Sequence, residues 1–223
     1  MLTFSRRISD RYSVRIRISE RDDGDAREST FLKRERSEMT LPSQMHGAEV
    51  STITEPGGDG GECDALITAC PGALIGVRTA DCVPIAIYGS SLQNTPVVGV
   101  VHAGWRGIRA GVIDNAVQQI RACGAHNIHA IIGPHIGTEC YEFGVADLQE
   151  IVDLVGMEAA GYTIDGNPAL DLGSAVRKQL TRNSVAIDHD IRRCTARDFR
   201  YWSHRANGDT QRSALIAEIR TSR

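Results

Sequence analysis

The chain of 223 residues contains almost no lysine: of its 25 basic residues, all but Lys33 and Lys178 are arginine. Charge of either sign is not in excess, with a formal net charge of −3 and a pI near 6.2. That excludes the strongly basic field on which non-specific nucleic-acid binding depends. No stretch reaches the ~18 consecutive apolar residues that mark a membrane-spanning helix. The N-terminal segment MLTFSRRISDRYSVRIRISERDD lacks the apolar core of a secretory signal. The expectation is a cytoplasmic protein with neither a nucleic-acid nor a membrane partner. Internal repeats and low-complexity tracts are absent. None of the six cysteines has a partner at CxxC spacing. Without an export signal, free thiols or metal ligands are expected rather than disulfides. Neither HExxH nor the HxE…PCxxC pattern of zinc deaminases occurs.

What is present is an ordinary globular composition, 41% hydrophobic and 24% charged. The length suits one large domain with a sizeable core. Residues 1–40 hold ten basic and eight acidic side chains. SVRIRIS alternates like a half-buried strand, with Val14, Ile16 and Ile18 on one face. REST followed by FLKRERSEM reads as a capped, charged helix. AEVSTIT reads as a strand ending in the glycine-rich loop EPGGDGGE. The runs ALIT, ALIGVRT, VPIAIY and VVGVVH are continuous rather than alternating, so both faces of these strands should be covered. RGIRAGVIDNAVQQIRACG has helical spacing, with Ile108, Val112, Ile113, Ala116, Val117 and Ile120 in one stripe and Gly124 as its stop. IHAIIGP and SALIAEI read as strands, GVADLQEIVDLVG and ALDLGSAVRKQLTRN as amphipathic helices. Runs of consecutive strands predict mixed or antiparallel sheet rather than a doubly wound fold.

Three reactive residues sit at the ends of apolar runs: His46 in PSQMHGAEV, Cys82 in VRTADCVPIAIY and His102 in VVGVVHAGWRG. Strand ends and their loops commonly converge on one pocket. Two imidazoles and a thiolate form a donor set suited to zinc, and three protein ligands leave a fourth position open. The gaps of 36 and 20 residues match no general zinc pattern. Spacing alone therefore leaves open a small buried thiol and two loop histidines. Cys63, Cys70, Cys123, Cys140 and Cys194 read as ordinary free thiols. His126 and His129 read as surface residues in a turn before a strand.

The segments QMHGAEV, CDALITACPGALIGVRTADCVPIAIY, VVGVVHAGWRGIRAGVIDNAV and IGPHIGTECYEFG resemble the YfiH family. It is also called the laccase-domain or polyphenol-oxidase family, and its members are described as purine nucleoside phosphorylases. The clear resemblance spans residues 44–144, with a weaker tail through LDL, CTARD and SHRANGDTQR. It implies a single α/β (α+β) domain over 1–223, layered α/β/β/α with mixed sheets. It implies that His46, Cys82 and His102 form the metal and catalytic site, holding Zn2+ rather than copper. It further implies phosphorolysis of adenosine, inosine and methylthioadenosine, and deamination of adenosine, so the small-molecule partners are nucleoside and phosphate. The family's LNLG…GDD…NR stretch has no match in the 43 residues before Gln44. Its SYRRDG-x-TGR segment appears as SHRANGDTQR, which keeps Ser203, Arg205, Gly208, Thr210 and Arg212.

Phosphorolysis requires phosphate at the ribose C1′, and deamination requires water at C6 of the adenine ring. Arg106, near the expected start of the helix after His102, is a candidate anion contact. Arg78 and Asp81 flank the TADC motif and can brace it by hydrogen bonds. Two further enzyme readings stand beside this one. The first is a metal-free cysteine hydrolase that edits a cell-wall precursor peptide, with Cys82 as nucleophile and His102 as base. The second is a copper-dependent polyphenol oxidase, which seven histidines in all support poorly. A non-catalytic metal-binding module is the remaining alternative.

Overall fold

The apolar runs VPIAIY and VVGVVH lie at the centre of the computed structural model, which describes residues 1–33 and 38–221. They form β7 (Val83–Ser90) and β8 (Pro96–Ala103), paired antiparallel with Ile85 opposite Val101. Side chains alternate across a strand, and here each parity meets its own core. Ile85, Ile87, Val97 and Val101 point to a helical layer. Ala86, Tyr88, Val98 and Val100 point to a second sheet. Both faces are covered, so the strands are apolar throughout.

β4 (Val50–Ile53), β5 (Ala65–Thr68), β9 (His126–Ile132) and β12 (Ala186–Asp190) complete a six-stranded mixed sheet in the order β12-β9-β7-β8-β5-β4. Its edge pairs, β12 with β9 and β4 with β5, are parallel. The second sheet has the order β1-β2-β13-β6-β3. It comprises β1 (Leu2–Arg7), β2 (Tyr12–Ile18), β3 (Met39–Thr40), β6 (Leu74–Thr79) and β13 (Ser213–Thr221). As the alternation predicts, Val14, Ile16 and Ile18 all face the inter-sheet core. β10 (Ala160–Tyr162) and β11 (Pro168–Leu170) form a small hairpin.

The helical layer holds α1 (Trp105–Ala110), α2 (Val112–Ala122), α3 (Val145–Val155) and α4 (Leu172–Arg182). The expected stripe from Ile108 to Ile120 is buried, but the continuous helix divides at Gly111. That residue has φ +90° and ψ 27°, a left-handed conformation that caps α1 and starts α2. α2 survives its Asn and two Val residues because it buries four branched side chains. At about 1.5–3 kcal/mol each, they outweigh propensity costs of a few tenths. Gly124 (φ +87°) ends the segment as expected. A short α5 (His204–Asn207) is capped by the Ser203 hydroxyl.

The fold is therefore mixed α/β, as the resemblance implies, with helices on one sheet and the second sheet behind it. Beyond that second sheet, Ala26 and Phe31 pack on Leu74, Ala214 and Ile216. The helix expected over REST and FLKRERSEM does not form through Lys33: this stretch runs in successive turns. Only Ala26 and Phe31 are fully buried there, too few for an amphipathic stripe. Residues 34–37 of that expectation lie outside the described residues. His126 and His129 lie within β9 itself, not in a turn before it. The His129 ring stacks on Tyr88, and its Nδ1 lies 2.8 Å from Asp188. Among the described residues, no helix is long and apolar enough to cross a membrane.

Candidate metal centre and active site

The three residues singled out in the sequence converge. His46 lies in the loop between β3 and β4, Cys82 in the turn between β6 and β7, and His102 near the end of β8. One donor atom from each lies within 4.8 Å of the others. The two imidazoles meet edge to face, with ring centroids 4.8 Å apart. His102 is buried, Cys82 half-buried and His46 exposed, so the group opens outward on its His46 side.

Asp64, which the sequence reading passed over, organises this convergence. It is fully buried at the start of β5. Its Oδ1 lies 2.7 Å from His102 Nδ1. The same carboxylate accepts the backbone N–H groups of Met45, His46 and Gly47 at 3.1, 3.1 and 2.7 Å. Three successive donors aimed at one anion hold His46 at φ +56°, a conformation uncommon outside glycine. With Nδ1 facing a carboxylate, His102 keeps its proton there and turns Nε2 to the site, the usual way a ligating histidine is oriented. The only sequence signal was CDALIT, a carboxylate directly before a buried strand.

The remaining supports are local. Gln44 makes two bonds of 2.8 Å with the backbone of Arg78, which fixes the His46 loop against β6. Arg78 Nη2 donates to the Pro42 carbonyl at 2.9 Å. Asp81 (φ +91°) accepts from the Thr195 hydroxyl and the Arg205 backbone N–H, each at 2.7 Å. Arg78 and Asp81 thus brace the turn before Cys82, as read from the sequence. A Cβ on Gly104 would stand 3.0 Å from both Cys82 Sγ and His46 Nδ1. Gly104→Ala should therefore spread the donors. The expected result is roughly tenfold weaker zinc binding in a chelator competition, with the far-UV spectrum retained.

Electrostatics couple the buried pair. Burial pushes the Cys82 thiol up, but the charge and hydrogen bond of His102, aided by His46, bring it down to about 6. Burial disfavours the His102 cation, but the Cys82 thiolate and Asp64 raise it to about 9. Asp64 is held below the usual carboxylate value: burial opposes this, but its bonds from His102, Gly47 and Met45 prevail. Both shifts favour a thiolate beside an imidazolium, whose proton a bound cation would replace.

The centre forms one wall of a cavity of about 570 Å³. Arg27, Arg106, Arg205 and Arg212 form much of the rest. None of these four guanidiniums has a carboxylate partner among the described residues. Arg27, Arg205 and Arg212 donate to backbone carbonyls, and Arg106 lies over the Trp105 ring at 4.4 Å. Tyr141 also lines the cavity, its ring under Arg205 at 4.7 Å. Burial pushes its hydroxyl up to about 12, so it remains a neutral donor at neutral pH. Arg27 and Tyr141 were not foreseen: the first stands in a segment read as a helix, the second beside a motif of other emphasis.

Known proteins share the fold and the sequence pattern of this chain. The family model described as multi-copper polyphenol oxidoreductase laccase matches residues 24–220. A Streptomyces griseus protein named purine nucleoside phosphorylase ORF3 is 35% identical over 180 residues, 77% of this chain and 70% of its own length. A purine nucleoside phosphorylase of Streptomyces coelicolor is 36% identical over 181 residues, 77% and 71% of the two chains. Among solved structures, YfiH of Bacillus licheniformis superposes with a TM-score of 0.77 at 20% identity, covering 96% of this chain and 98% of that one. Sharing both that fold and the sequence pattern over nearly its whole length, the chain belongs to the laccase-like multi-copper polyphenol oxidoreductase family, the family of YfiH.

Proposed function

We propose that this chain is a zinc-dependent purine nucleoside phosphorylase that also deaminates adenosine, with His46, Cys82 and His102 as its metal-binding and catalytic residues. The observation that carries the reading is one cavity with two chemistries: a two-imidazole, one-thiolate donor set facing the side chains of Arg27, Arg106, Arg205 and Arg212, none of which is ion-paired among the described residues. The relatives' name, purine nucleoside phosphorylase, supports it.

The donors fit a single borderline ion such as zinc. They fit a multicopper cluster poorly. Among the described residues only two groups of three donors occur, and neither has more than two imidazoles. A zinc ion held by His46, Cys82 and His102 would supply a Lewis acid and an acidified water. The chain's own residues do the rest. Guanidiniums that face the cavity without an ion-pair partner among the described residues hold phosphate through forked hydrogen bonds. In phosphorolysis a phosphate oxygen bonds to C1′ while the bond from C1′ to the purine nitrogen breaks. The purine leaves with that electron pair and takes up a proton. Tyr141, uncharged and lining the cavity, donates a hydrogen bond to it. The deciding experiment is turnover of a nucleoside panel with and without phosphate, reading free base, ribose 1-phosphate and ammonia. No turnover on any purine nucleoside rejects the reading in favour of a non-catalytic metal-binding module.

Arg106 should separate the two activities. Arg106→Ala is expected to weaken phosphate-dependent cleavage about tenfold or more, roughly the loss of one charged hydrogen-bonding partner. Ammonia release from adenosine should fall less, because no anion is held. Lys at this position should rescue only in part, keeping charge without the fork. Equal losses in both activities would assign Arg106 to the nucleoside or to bracing Trp105.

The thiolate–imidazolium pair supports a second reading, the metal-free cysteine hydrolase. A second imidazole on the thiol is superfluous to that mechanism and necessary to a metal site. Iodoacetamide distinguishes them: zinc-loaded protein should resist alkylation at Cys82 until chelated. In the chelated protein the thiolate prevails above pH about 6. Its alkylation rate should therefore rise with a midpoint near there, not near an ordinary cysteine's ~8.5. Rapid alkylation of the loaded protein favours the hydrolase.

A further inference from the structure

We propose a second, structural zinc site formed by Glu139, Cys140 and Cys194, distinct from the His46 centre. The sequence offers no pattern for it, since Cys140 and Cys194 lie far apart and Glu139 is one acid among 28 acidic residues. The fold brings them together. Glu139 and Cys140 lie on a single 3₁₀ turn, Thr138–Cys140. Cys194 lies in the loop after β12, where its residue bridges in parallel with His135. One donor atom from each lies within 4.8 Å of the others. Two sulfurs on one tetrahedral zinc ion at ~2.3 Å stand about 3.8 Å apart, so side-chain rotations that draw the donors together by about an ångström complete the site.

Three further features fit a metal. The Gly137 N–H donates to Cys194 Sγ at 3.1 Å, the kind of bond that supports a ligating thiolate. The Glu139 carboxylate occupies the place a Cβ on Gly137 would take, so the glycine admits it to the group. That carboxylate has no ion-pair or hydrogen-bond partner among the described residues, although Arg192 and Arg193 line the same cavity of about 270 Å³. Both arginines turn to other acids, Asp190 and Asp198. Two thiolates and a carboxylate leave a fourth position for water from that cavity.

The site joins a turn that leads into the active-site cavity to a loop that braces the Cys82 turn. Tyr141, which lines that cavity, directly follows Cys140. Thr195, which donates to Asp81 beside Cys82, directly follows Cys194. A zinc ion there staples these loops and so sets both neighbours.

Cobalt(II) titration of the full chain carrying Cys82→Ala tests this, because the other centre then has no thiolate. The protein is stripped with chelator and kept reduced by a phosphine. The expected result is one equivalent of cobalt with thiolate-to-cobalt absorption, displaced by zinc, and a higher unfolding temperature when loaded. Adding Cys194→Ser should abolish the absorption while the far-UV spectrum is kept. Should that variant not fold, Glu139→Gln in the Cys82→Ala background keeps both thiols and should weaken cobalt binding measurably. No thiolate absorption in the Cys82→Ala protein overturns the proposal. So does absorption that persists after Cys194→Ser, or cobalt affinity unchanged by Glu139→Gln. A Cys140–Cys194 disulfide in air with no cobalt absorption after reduction also overturns it.

Discussion

Cys82→Ala is expected to abolish turnover of adenosine and inosine, by roughly 10³-fold or more, while the protein stays folded. The thiol sits in a turn, half-buried, between β6 and β7, each held by pairing within its own sheet. Removing one sulfur should cost about 1 kcal/mol of stability, near the average for a point change. The chemistry is far more sensitive. As a metal ligand, Cys82 supplies the only thiolate within the group; as a nucleophile, it would be the reacting atom. Steady-state turnover with phosphate, beside far-UV circular dichroism and zinc content, makes the check. Near-normal turnover in a folded protein would reject both mechanisms at once. Loss of zinc together with activity separates the metal reading from the nucleophile, whose loss would leave metal content unaffected.

Asp64→Asn should be nearly as damaging, and should act on stability as well. The substitution preserves shape but exchanges one acceptor oxygen for an NH₂ group. Its buried carboxylate receives three backbone N–H groups and faces His102. An amide would set donor against donor at one or more of these. Leaving such groups buried and unsatisfied costs about 3 kcal/mol. Zinc affinity should fall about 10- to 100-fold, the usual effect of losing the partner that orients a ligating histidine. The wild-type protein carries a corresponding pH signature. Asp64 is held below its ordinary value of 3.8 by its bonds against burial. Its contribution to stability is therefore present above that value and lost as the pH falls through the lower, folded one. Acid unfolding of chelated wild type should steepen below about pH 4, and the Asn variant should lack that component. Equal acid limbs in the two proteins would reject this role.

Much of the fold was written locally. The continuous runs that became β7 and β8, the alternation of β2 and the stripes of the helices each follow from a period of two or 3.6 residues. Elements with little to bury escaped this reading. β1 is a mostly exposed edge strand, and β12 alternates among half-buried and exposed polar residues. The helix break at Gly111 escaped it too, because a left-handed glycine leaves the apolar stripe intact while turning the axis. Among the site residues, His46, Cys82 and His102 were legible as reactive side chains at the ends of apolar runs and through their family motifs.

The sequence by itself thus determined which residues could be buried and which three donors had to be near strand ends. Only the tertiary structure decided what stands around them. Asp64 meets the His46 loop because β5 pairs with β8 in a register that sets Ala65 opposite Val101, one residue before His102. Arg27, Arg106, Arg205 and Arg212 reach one cavity from three separate segments, and Cys140 meets Cys194 across two loops. Local periodicity encodes how an element buries its own face. Contacts between distant segments depend on sheet register and loop paths, which the whole chain must settle together.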